Sequence, residues 1–145
     1  MPVGMQAKYM PSRDLVMIME KTISIDLILL PAANKSNIQW EELIETWRMV
    51  DDNSDVDPKT TPMYKMYLRY KKVYKLVDKF DPYWHTAGKI DLYKKIKSEG
   101  FDPHKEVRIA CNSISGKFYI TEGLHRMSML RHWKVKQVCV VIGNE

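Results

Sequence analysis

The sequence predicts an α+β fold, a small mixed β-sheet packed with helices, and three observations carry that prediction. Residues 107–142 fall in the order strand, hairpin, strand, helix, strand. Residues 15–30 are rich in β-branched side chains, with Ile23, Ile25 and Leu27 on one parity, which reads as one or two strands ending at Pro31. Between these two regions the apolar spacing changes from two residues to about 3.6, the mark of helix. A chain of 145 residues with 45% hydrophobic content can bury one core without disulfides or a structural metal. A single domain over residues 1–145 is therefore expected, with residues 35–85 as a helical insertion in it.

The first helix is placed at Ile38 to Val50, where Ile38, Leu43, Ile44 and Trp47 share a face and Asn37 offers a cap. Residues 51–60 have almost no apolar content and read as a mobile acidic loop. Pro62 suits a first helical turn. From there Met63, Tyr64, Tyr67, Leu68, Tyr74, Leu76 and Val77 interleave with Lys65, Arg69, Lys71, Lys72, Lys75 and Lys79, an amphipathic helix that ends near Asp81-Pro82. A shorter helix fits Lys89 to Lys97, with Gly100 as a left-handed cap. A strand follows at Glu106 to Asn112, then a turn at Gly116, a strand at Lys117 to Thr121, a helix at Leu124 to His132, and a last strand at Gln137 to Ile142.

The net charge of +5 is an ordinary solubilising excess, but it is unevenly spread. Seven acidic residues (Glu41, Glu42, Glu45, Asp51, Asp52, Asp55, Asp57) face the single Arg48 in one stretch, whereas residues 65–97 and 126–136 are strongly basic. Cys111 and Cys139 each sit in a strand-like apolar run, where a thiol behaves as a small hydrophobe. The four histidines, His85, His104, His125 and His132, lack ligand spacing, and no Gly-rich phosphate loop or dinucleotide fingerprint occurs. His85, in a loop beside Trp84, reads as polar filler or as a residue at a pocket mouth. No stretch has the form of a signal peptide, and the apolar run from Leu27 to Ala33 is too short to span a bilayer and is broken by Pro31. A cytoplasmic, membrane-free setting is the expectation.

The chemistry concentrates in Thr121-Glu122-Gly123-Leu124-His125-Arg126. A strand that passes into a helix through Glu122-Gly123 presents the first helical amides unpaired, backed by the positive end of the helix dipole. Such a helix start attracts anions before any side chain is counted. Gly123 permits an unusual torsion or a close approach to a ligand. His125 and Arg126 fall in the first turn, where a planar guanidinium and an imidazole can reach the same phosphate oxygens. Glu122 is the candidate to hold magnesium or orient a nucleophile.

Residues 107–142, with Gly116-Lys117-Phe118-Tyr119-Ile120 before Glu122-Gly123-Leu124-His125-Arg126 and Val138-Cys139-Val140-Val141-Ile142 after it, resemble the ParB/sulfiredoxin superfamily. Its members show a D/E-G-x-H-R signature between a short hairpin and a helix. Ile90 to Gly100 resembles the helix that precedes that hairpin, and Ile23 to Pro31 its first strand. The resemblance implies a ParB/sulfiredoxin-like fold. Sulfiredoxins carry their catalytic cysteine at the position of Leu124, so that activity is excluded. Chromosome-partitioning members add a downstream DNA module, which is not found before Glu145. The free-serine-kinase branch uses the turn to hold a nucleotide phosphate and transfers phosphoryl to a small hydroxyl compound. It needs an acidic base from the N-terminal half, for which Asp26 is a candidate.

These readings assign catalytic roles to Glu122, His125 and Arg126, phosphate or nucleotide binding to Gly123, Leu124, His125 and Arg126, and a metal role to Glu122. The expected cofactors are ATP or another NTP with Mg2+, and the expected partners a nucleotide and a small-molecule acceptor. The alternative is a DNA- or RNA-binding, ParB-like regulatory or nuclease-type protein whose lysines at 65–79 track phosphates while Tyr64, Tyr67 or Tyr70 stacks on a base. A third reading is a non-catalytic interaction domain. The bland alternatives are a structural His125–Arg126 pair and a solvated lysine face with its aromatics in the core.

Overall fold

The computed structural model describes residues 5–9, 17–77, 79–100 and 109–143. It is α+β, with a mixed six-stranded sheet in one compact unit (residues up to 32 and from 109 onward) and helices in another (residues 33–100). The strands are β1 (Met5–Tyr9), β2 (Met17–Ser24), β3 (Ile28–Leu29), β4 (Ala110–Ile114), β5 (Lys117–Glu122) and β6 (Gln137–Gly143), and helix α4 (Leu124–His132) belongs with them. The helical unit holds α1 (Trp40–Asp52), α2 (Pro62–Val73) and α3 (Pro82–Glu99).

The sheet order is β1-β2-β6-β4-β5-β3, with β3–β5 and β4–β6 parallel and the other pairs antiparallel. Strand β1 is an element the sequence reading did not anticipate; it pairs with β2 from Met5↔Lys21 to Tyr9↔Met17. The expected strand start at residues 106–108 lies outside the described residues, and β4 runs on to Ile114. Only the short turn Ile25–Leu27 joins β2 to β3, although β6, β4 and β5 lie between them in the sheet. Four chain steps reach at most about 14 Å, whereas four strand spacings across a flat sheet need about 19 Å. The sheet must therefore coil so that its β3 edge comes round toward the end of β2. Inside it, Ile23, Ile25, Ile28, Ile109, Cys111, Ile120, Val138 and Val140 are buried, as are Met127, Met129 and Leu130 of α4.

In the helical unit, the core is Leu43, Trp47, Val50, Met63, Met66, Tyr67, Ile90 and Tyr93. Trp47 and Tyr93 stack with centroids 4.7 Å apart and planes 11° from parallel. The Tyr93 hydroxyl donates to Asp51 Oδ1 at 2.7 Å, and Lys97 Nζ reaches the same oxygen at 2.7 Å. Arg69 donates from Nε to the Ser36 carbonyl (3.2 Å) and from Nη2 to Glu42 Oε1 (2.6 Å), which clips α2 to the approach to α1.

Several boundaries differ from the expectation. Asn37 does not cap α1; it takes a left-handed conformation (φ 53), and Gln39 is the N-cap, its amide donating to Glu42 Oε1. The acidic stretch is not all loop, because Asp51 and Asp52 close α1 and Pro58–Thr60 form a 3-10 turn capped by Asp57. Helix α2 stops at Val73 rather than running to residue 79. There Lys75 adopts φ 53, its amide donates to the Lys72 carbonyl, and the Leu76 amide donates to the Lys71 carbonyl at 3.0 Å. This is a Schellman closure with lysine where glycine is usual, so no glycine announces it. Helix α3 starts earlier than expected, at Pro82 behind the Asp81 cap, and takes in His85. Gly100 does have positive φ (76), but with ψ 166 it lies in the extended region that glycine alone enters readily, not in the left-handed helical one.

Candidate functional site

The strand-turn-helix at 117–132 forms as the sequence predicts, with β5 extended by one residue to Glu122. Gly123 is the N-cap of α4 and takes φ 90, ψ 26, a torsion costly for any residue with a β-carbon. It has no side chain with which to cap, and no side-chain cap bond closes the helix start. Its carbonyl accepts the Met127 amide at 2.8 Å, so the helical ladder begins there and the earlier amides point outward from the helix end. Glu122 is exposed, while Gly123, Leu124, His125 and Arg126 are half-buried. The next residues, Met127 to Leu130, are fully buried and anchor the helix, and Ser128 Oγ donates to the His125 carbonyl.

The fold thus brings Glu122, Gly123, Leu124, His125 and Arg126 together on one strand end and one helical turn. Asp26 does not join them. Arg131, in the last turn of α4, donates from Nη2 to the carbonyls of Ile25 (3.0 Å) and Ile28 (2.7 Å). Those contacts hold the Asp26 segment beside the far end of α4, six residues or about 9 Å of helix beyond His125. The parallel pairing Ile28↔Phe118 agrees, since it sets the chain before β3 level with the start of β5 rather than with its Glu122 end. The role of Arg131 was invisible in the sequence because its acceptors are backbone carbonyls more than a hundred residues away.

Among the described residues no group of three His, Cys, Asp or Glu side chains comes together as a metal set. Glu122 would thus bring one carboxylate to a magnesium ion. That fits the habit of Mg2+ to bind through one or two carboxylates with phosphate oxygens and water completing its shell. Cys111 is buried, and desolvation pushes its thiol up to about 11, the behaviour of an inert core residue.

Two cavities are lined by residues of the helical unit. One, of about 720 Å³, is lined by Asp55, Asp57, Lys59, Tyr64, Asp81 and Tyr83 among others. Asp57 and Asp81 there are already engaged as caps of Pro58–Thr60 and α3. The other, of about 360 Å³, adjoins the Asp51–Tyr93–Lys97 cluster. His85 is a residue of helix α3, not of a loop. It stands edge-on to Tyr67, with ring centroids 4.4 Å apart, and 4.9 Å from Phe80, and burial followed by the nearby Lys89 charge lowers its pKa. Of the tyrosines offered for base stacking, Tyr67 is buried at 5% exposure, Tyr70 packs against Tyr74 and Phe80, and Tyr64 lines the acidic cleft.

No protein-family model, curated protein or solved structure matches this chain. Among the described residues no helix is long and apolar enough to cross a membrane.

Proposed function

We propose that the protein binds a nucleotide through its phosphates at the β5–α4 turn and acts as an NTP-dependent phosphotransferase on a small molecule, or as an NTPase. One observation carries the reading: Gly123, held at φ 90, starts α4 without a side-chain cap, and His125 and Arg126 occupy the first turn beside those amides. The amides and helix dipole supply fixed positive potential, Arg126 a fork for phosphate oxygens, and His125 a donor. Glu122, at the strand end, would hold a magnesium ion, which would supply neutralisation of phosphate charge. Phosphoryl transfer asks mainly for positioning and charge neutralisation, so a compact site suffices. The resemblance of the Glu122-to-Arg126 motif and its strand-helix setting to the ParB/sulfiredoxin superfamily supports the same reading.

A thermal-shift panel of nucleoside triphosphates, with and without Mg2+, tests it. Ligand at a hundred times its dissociation constant should add about 2.7 kcal/mol to native stability, a shift easily seen. His125→Ala and Arg126→Ala should each reduce that shift while leaving the unliganded melting temperature within a degree or two. No shift with any nucleotide, or shifts that survive both substitutions, would overturn the proposal.

A further inference from the structure

We infer that the cavity of about 720 Å³ in the helical unit is a binding site for a small organic cation, an alkyl amine bearing two or more positive charges. Its walls come from three places that this unit brings together: Asp55, Asp57 and Lys59 ahead of α2, Tyr64 in the first turn of α2, and Asp81 and Tyr83 at the start of α3. The volume falls within the roughly 300–1,000 Å³ of small-molecule sites. Three carboxylates against one ammonium leave the lining with two excess negative charges. Other exposed carboxylates of this unit, Glu41, Asp52, Asp91 and Glu99, line neither cavity, so the convergence of these three comes from the fold and not from composition.

The sign of the ligand follows from where the backbone donors go. Helix starts ordinarily draw anions, but those at this cavity are closed by side chains of the chain itself. Asp57 Oδ1 accepts the Lys59 amide, Asp81 Oδ1 those of Tyr83 and Trp84, and Thr61 Oγ1 that of Tyr64. An anion would meet carboxylates with those amides already taken. A cation meets the second oxygens of Asp57 and Asp81 and the whole carboxylate of Asp55, none of them in an ion pair among the described residues. The rings add a second attraction. Tyr64 and Tyr83 are half-buried, and the Tyr83 ring already receives a cation, with Lys59 Nζ 5.6 Å from its centroid. A metal ion fits less well, because among the described residues no three carboxylates come together as a ligand set. Charges spread along a cleft match ammonium groups separated by methylenes, whose apolar stretches Val56 and Pro58 can cover.

Calorimetric titration of the full chain with spermidine, a linear triamine, at low salt decides the matter. A single site is expected, weakening as salt rises. Asp55→Asn should lower the affinity about fivefold. Asp57→Asn and Asp81→Asn should do the same without loosening their helix starts, because asparagine keeps the capping oxygen and removes only the charge. Tyr83→Leu should weaken binding about two- to fivefold, whereas Tyr83→Phe keeps the ring and the affinity. Lys59→Gln should tighten binding by removing a competing cation, the opposite of its effect on an anionic ligand. Glu41→Gln and Asp91→Asn, outside the cavity, and Arg126→Ala, at the phosphate turn, should change nothing. Melting curves identify any variant that fails to fold, for which Asp55→Asn, whose carboxylate caps no helix, stands in. The inference is overturned by absence of binding at millimolar spermidine, by equal losses in the Glu41 and Asp91 variants, or by weaker binding in Lys59→Gln. It is also overturned if magnesium or calcium displaces the amine at equal concentration, or if a tri-lysine peptide binds more tightly than spermidine.

Discussion

Arg131→Ala should destabilise the sheet unit by roughly 2–4 kcal/mol, because one guanidinium nitrogen satisfies two backbone carbonyls at the crossover from β2 to β3. Ile28 is fully buried and Ile25 nearly so, at 5% exposure, while the two bonds themselves are part-buried, so water can replace the lost donor only in part. A buried acceptor deprived of its partner costs about 1–3 kcal/mol, and hydrogen bonds from a charged group lie at the upper end. The two carbonyls share one nitrogen, so their costs do not add in full. Urea unfolding measured by far-UV circular dichroism and by tryptophan fluorescence gives the number. With a slope of about 1–3 kcal/mol per molar urea, the midpoint should fall by on the order of 1–2 M at an unchanged slope. Arg131→Lys keeps the charge and a donor but lacks the planar fork, and should recover part of the loss. A cost below about 0.5 kcal/mol for Arg131→Ala would show that the crossover does not depend on this contact, and the placement of Asp26 away from the turn would lose its main support.

Three further outcomes are expected. Gly123→Ala, at φ 90, should cost about 1–2 kcal/mol by urea unfolding and reduce the nucleotide-induced thermal shift; an alanine protein as stable as the parent would contradict the assigned backbone. Lys75→Gly and Lys134→Gly replace residues at φ 53 and φ 62 in helix closures, and each should raise stability by up to about 1 kcal/mol, with loss of stability as the contrary result. His85 has its folded-state pKa lowered beneath 6.5 by burial first and by Lys89 second. The unfolded chain therefore takes up the proton first as pH falls. Stability should be unaffected above the unfolded value and should decline as pH drops from about 6.5 through the folded value. His85→Phe, which keeps a ring against Tyr67 and Phe80, should flatten that decline between pH 7 and 5; an identical pH profile in the variant would remove His85 from the account.

Local information determined much of this protein. The alternation in β6 and the Gly116 turn, the Pro62 start of α2, and Glu122-Gly123 at a strand end all act over a few residues, so the hairpin, α4 and the clustering of Glu122 to Arg126 are legible in the sequence. The helix ends were less so. Lysine has no special claim on a left-handed torsion, and what makes Lys75 and Lys134 adopt one is the set of carbonyls waiting at Lys71, Lys72, Leu130 and Arg131. Tertiary structure alone decided the rest. The amphipathic pattern of α2 places Tyr67 on a face but does not say that Phe80 and His85 fill that face, and so whether its tyrosines stack on a ligand or on the core stays open until α3 is in place. Strand order, the coiling of the sheet, and the pairing of Arg131 with Ile25 and Ile28 depend on contacts between residues about a hundred positions apart. Side-chain periodicity fixes which face an element buries, because it is set by backbone geometry within one element. Which element covers that face is set by packing across the whole chain, and here that packing is what holds the Asp26 segment beside the last turn of α4.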